Sequence, residues 1–136
     1  MLTVLLRVVG VIQLVLGGLY LAAPGELLAG MGHSAIAPDI RYPLGMLAAR
    51  FVVYGAALIY AARQPQAHRP WIWGMVGIQL IDLAVGAAYT ASGVLPLRLS
   101  GFPMFNALWI SALLAYGVWR LPAASPARGP ASDAAS

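Results

Sequence analysis

Neither cysteine nor lysine occurs in this chain, histidine occurs twice, and Asp and Glu together only four times in 136 residues. Each shortage closes a class of chemistry. Without cysteine there is no thiolate nucleophile, no disulfide relay and no sulfur ligand for a metal. Without lysine no Schiff base to retinal or pyridoxal phosphate can form. His33 and His68 fall in separate polar segments with no carboxylate at ligand spacing, so neither a metal, a haem nor any other cofactor is expected. No G-x-S-x-G elbow and no Ser-His-Asp set on one side of the chain point to hydrolysis.

What fills the sequence instead is apolar. Hydrophobic residues make up 61%, charged residues 9%, and the mean hydropathy is +0.81, whereas a soluble domain carries about a quarter charged residues. Four apolar runs, 2–23, 43–62, 71–91 and 102–121, each have the length that crosses a hydrocarbon core of about 30 Å as a helix. The expected fold is therefore all-α, an integral membrane four-helix bundle over 1–121 in the lipid bilayer. The Pro/Ala/Ser-rich segment 122–136 has no apolar face to bury and is expected as a disordered tail. The first run is read as a span and not a signal peptide, because Arg7 lies inside it and Leu21 breaks the small-x-small pattern before Ala23.

Orientation follows from arginine placement. Arg7, Arg63, Arg69, Arg120 and Arg128 fall on the side of the two chain ends, Arg41 and Arg98 on the other. By the positive-inside rule both ends are expected in the cytoplasm, with the protein multi-pass in a bacterial inner, plasma, membrane. The pI near 10 is explained by this inner-surface excess and implies no nucleic-acid partner. Prolines punctuate the spans: Pro43, Pro70 and Pro103 at starts, Pro24, Pro65 and Pro122 after ends. In the longest loop, the stretch GELLAGM is expected to form a turn of interfacial helix. The motif VIQLV at 11–15 recurs as GIQLI at 77–81, each followed by Gly-x-x-Tyr, a faint sign of a duplicated hairpin with parallel halves.

Polar residues inside the spans are the candidate site, because a charge at a helix centre costs roughly 2.5–3.5 kcal/mol even on the lenient insertion scale. Arg50 and Asp82 fall at nearly the same depth and are expected to pair. Helical spacing places Gln13 on the inner stripe of the first span, Tyr54 with Arg50, and Gln79 with Asp82, while Asn106 opens the fourth. These six form the expected polar centre, for ligand binding or for structure. Interhelical glue is the ordinary use of such amides, and the one expected first for Gln13 and Gln79.

The pattern RVVGVxQLxLGGLY at 7–20, the PGELL turn, RYPLGMLAARFVVYG at 41–55, WIWGMVGIQLIDLAVG at 71–86 and SGFPMFNALWI at 100–110 resembles the BphX-like and broader DoxX-like small membrane proteins. The resemblance implies an inner-membrane four-helix bundle encoded beside oxidoreductases or aromatic-degradation enzymes, and it carries over no catalytic residue. Three function classes follow. The first is a non-catalytic accessory or anchoring subunit of a larger membrane complex, redox or metabolic, or a homo-oligomer. The second is a binder or transporter of a small apolar or aromatic molecule at Arg50 and Asp82. The third is an enzyme with Asp82 as acid or base.

Overall fold

Each apolar run folds as one helix, and the residues that stop each helix are those the sequence marks. In the computed structural model, which describes residues 1–122, the elements are α1 (Leu2–Ala22), α2 (Pro24–Gly30), a 3-10 turn (Pro38–Ile40), α3 (Arg41–Ala61), α4 (Arg69–Ala91) and α5 (Leu97–Trp119). The segment expected as a tail lies, apart from Pro122, outside the described residues. Four helices of 21, 24, 23 and 23 residues, the second counted with its leading 3-10 turn, are long and apolar enough to cross a membrane. At 1.5 Å per residue they span roughly 30–36 Å, the thickness of the hydrocarbon core.

Pro24 ends α1 and opens α2, because a proline has no N–H to give and fits the first helical turn. Pro70 likewise fits the first turn of α4. Three helix starts fall earlier than the sequence reading, that of α4 at Arg69 and two others. The third helix begins at Arg41, taking Pro43 into its first turn, and the last begins at Leu97 after an extended Pro96, leaving Pro103 inside it. Hydropathy missed these turns because Arg41, Arg98 and Ser100 dilute the apolar signal at helix ends. The GELLAGM stretch does form a short helix, seven residues long.

Residue 1, the turn at 63–67 and Leu121 border one cavity and so lie at one end of the bundle; α2 lies at the other. Helices α1 and α4 run from the chain ends toward α2, and α3 and α5 run back. The closest packing is of α1 on α3 and of α4 on α5, with lighter contact along α3–α4 and α1–α5. Glycine makes the first pair possible. A Cβ on Gly55 would sit 2.8 Å from the Gly10 carbonyl oxygen, and one on Gly10 the same distance from the Gly55 carbonyl. Backbones this close exchange dispersion contacts that larger residues would prevent, which is how helices associate in lipid.

The core lies in the half nearer the chain ends. Leu6 and Val9 of α1, Leu58 and Ala61 of α3, Ile72 and Met75 of α4, and Ile110, Leu114 and Val118 of α5 form one buried cluster. Val4, Val8, Val11, Val15 and Leu19 run along the opposite face of α1, an exposed apolar stripe at three- and four-residue spacing. At the chain-end side Arg69 donates to the carbonyl oxygens of Val118 at 3.1 Å and Pro122 at 3.4 Å. A cation there satisfies carbonyls left over at the end of α5 and complements its dipole.

Candidate functional site

Arg50 lies nine residues in from Arg41, and Asp82 nine residues short of Ala91, so both sit about 14 Å from the α2 end of their helices. They meet as a forked pair: Nη1 donates to Oδ1 and Nη2 to Oδ2, both at 3.1 Å. Two parallel charge-assisted bonds fix the angle between α3 and α4 as well as their distance. The side chains keep 31% and 35% of their surface open, because both face a cavity.

That cavity has a volume of about 460 Å³ and draws its wall from five helices. Gln13 and Leu16 come from α1, Leu27 and Met31 from α2 and the residue after it, Leu47, Arg50 and Phe51 from α3, Gln79 and Asp82 from α4, and Phe102, Pro103, Asn106 and Ala107 from α5. Gln13 and Gln79 are only 3% and 4% exposed. They stand one helical turn above Val9 and Met75 of the core, so they floor the cavity where the packed half begins. Leu27 and Met31 border it at the α2 end. The repeat seen in the sequence thus puts both of its glutamines on the wall of this cavity, from two parallel helices.

The polar groups are unequally satisfied. Asn106 Oδ1 accepts from Trp109 Nε1 at 3.0 Å, one turn along α5. The Gln79 Nε2 and Arg50 Nε groups are buried and make no hydrogen bond. An orphaned buried donor costs about 1–3 kcal/mol, and natural structures keep few of them. Part of the Arg50 charge is met by the Phe51 ring, whose centroid lies 5.3 Å from the guanidinium carbon. The other aromatic partner of Phe51 is Tyr20, stacked at 5.7 Å, which joins the wall from α1.

Of the six residues expected at a polar centre, Gln13, Arg50, Gln79, Asp82 and Asn106 border this one cavity. Tyr54 does not. One turn further toward the chain ends, it packs edge-on against Trp71 at 6.0 Å and onto Gly74. Tyr54 shares the Arg50 stripe in sequence, but the glycine at 74 opens a slot on α4 that draws the ring away from Asp82. Phe51, Phe102 and Pro103 were not singled out from sequence. Their apolar character hides them among lipid-facing residues, and only a proline retained within a helix marks the region.

His33 follows α2 and His68 precedes α4, at opposite ends of the bundle. Among the described residues no three His, Asp or Glu side chains gather as a metal site would need. Comparison with protein-family models, with curated proteins and with solved structures returns no match for this chain.

Proposed function

We propose that this chain binds a small, mainly apolar or aromatic molecule within the bilayer, in the cavity at Arg50 and Asp82, to carry it or present it to a partner. The observation that carries the reading is the roughly 460 Å³ space itself, walled by apolar side chains and floored by an unpartnered glutamine. Small-molecule sites are of this size, about 300–1,000 Å³, and combine an apolar wall with a few convergent polar groups. A pair of charges serving only to lock two helices needs no space beside it. An intramembrane ionisable pair facing a cavity is instead the ordinary mark of a functional path.

In this reading the arginine-rich end faces the cytoplasm, since Arg7, Arg63, Arg69 and Arg120 gather there against Arg41 and Arg98 at the α2 end. The cavity then lies in the leaflet away from the cytoplasm, in a bacterial inner membrane.

The test is extraction from native membranes in mild detergent, with mass spectrometry of both proteins and small molecules. A small molecule should accompany the wild type in fixed ratio and be lost from Leu47→Trp, which fills the cavity. Recovery of a stoichiometric larger protein with nothing in the cavity would favour the accessory-subunit reading instead.

A further inference from the structure

Resting on that binding reading, we infer that the ligand is uncharged and is held by a hydrogen-bond acceptor of the carbonyl class, received by the amide groups of Asn106 and Gln79. The argument begins with charge. Arg50 and Asp82 neutralise one another through two bonds, and the other polar side chains in the wall are the neutral Gln13, Gln79, Asn106 and Tyr20. Of the other two acidic groups at this end of the bundle, Glu26 borders a separate cavity with Arg41, and Asp39 lies in the 3-10 turn before α3, outside the wall of this one. An ionised ligand would enter without a counter-ion in a low-dielectric region, at the full cost of desolvation.

Hydrogen-bonding capacity sets the rest. Asn106 Oδ1 already accepts one bond from Trp109, while its Nδ2 amide donates to nothing among the described residues, so that amide is its open donor. The Gln79 carboxamide is 4% exposed, and its Nε2 is turned into the packing without an acceptor. Its two ends have the same shape, so turning it over brings an NH2 to the cavity floor at no steric cost. An acceptor seated between α4 and α5 therefore meets the Asn106 amide and, with the carboxamide turned over, the Gln79 amide as well. Beyond these amides the wall runs through Phe102, Leu27 and Met31, which call for an apolar body directed toward α2.

Three probes of nearly one shape separate the possibilities: benzophenone, which is neutral with a carbonyl; diphenylmethane, which is neutral without one; and 4-benzoylbenzoate, which has the carbonyl and a charge. Radiolabelled benzophenone is bound to the purified full-length protein and displaced by each compound. Diphenylmethane is expected to displace about tenfold less well, because a site built to bond a polar group rejects the analogue that lacks it. The benzoate is expected to fall about tenfold or more as well. In Asn106→Leu and Gln79→Leu, with helicity checked by circular dichroism, benzophenone should lose that advantage over diphenylmethane. Equal displacement by diphenylmethane, or strongest displacement by the benzoate, would overturn the inference while leaving the cavity a binding site. Absence of saturable binding by all three in folded protein would remove the binding reading itself.

Discussion

The half of the bundle nearer the chain ends and the half nearer α2 are made from the same four helices, yet one is filled and the other hollow. In the first, Leu58, Ile72, Ile110 and Leu114 close against one another with no exposed surface. In the second, Gln13, Arg50, Gln79, Asp82 and Asn106 stand around open space. In a bilayer, where lipid chains are as apolar as leucine, burial of hydrophobic surface would not drive such helices together; dispersion in close packing would. The filled half therefore holds the bundle, and the hollow half is free to keep groups that packing alone would not select. Arg50 and Asp82 bridge α3 and α4, which touch lightly, and so link the α1–α3 pair to the α4–α5 pair across the cavity.

The contrast can be broken most severely at the α1–α3 contact. Gly55→Leu places its first side-chain atom 2.8 Å from a backbone oxygen that cannot rotate away, so the two helices must part. Loss of the folded state, read as loss of a cooperative thermal transition in detergent, is the expected outcome. A melting temperature near that of wild type would mean that the two helices do not approach so closely. Next in size is the ion pair. Asp82→Leu leaves Arg50 without its partner, at a cost of about 3 kcal/mol to the folded bundle, the low end for a buried pair because about a third of each side chain is open. The double variant Arg50→Leu with Asp82→Leu is expected to recover most of that loss, since it removes both charges. Denaturant titration of the four forms measures the coupling, and additive effects would show that the pair does not bridge the helices.

These two sites were not equally legible in the sequence. The pairing of Arg50 with Asp82 could be read from depth alone, because helix rise and span ends fix height in a membrane to within a turn. Gln13, Gln79 and Asn106 followed from the same periodicity. Tyr54 was misplaced because periodicity gives the stripe a residue occupies and not the neighbour that takes it, and the slot at Gly74 decides that. The start of α5 at Leu97 was hidden by Arg98 and Ser100. Polar residues at a helix end lower hydropathy without breaking the helix, and Ser100 is buried beside Thr90, with their hydroxyl oxygens 2.6 Å apart. The cavity itself was not legible, since empty space depends on how four similar apolar surfaces meet. Nothing in composition distinguishes a leucine packed on leucine from one beside a void.

Two leucine truncations, one in each half, sharpen that last point. Leu114→Ala removes a side chain with no exposed surface from the centre of the filled half and leaves a new cavity. A loss of about 2–5 kcal/mol is expected by analogy with buried leucines elsewhere, measured by the same denaturant titration.

Leu47→Ala gives the smallest effect on the empty protein. Leu47 is half-buried and already borders the open space beside Arg50, so truncation enlarges a cavity that exists and forfeits few contacts. The expected loss is about 1 kcal/mol or less, because the cost of truncation scales with the cavity created and the packing given up. With a saturating ligand in place the ordering changes, since the ligand supplies contacts that Leu47 would make and the alanine would not. The difference between wild type and Leu47→Ala should therefore widen when the ligand is added, while that for Leu114→Ala stays constant. A Leu47→Ala loss as large as that of Leu114→Ala, without ligand, would mean that the two halves are packed alike.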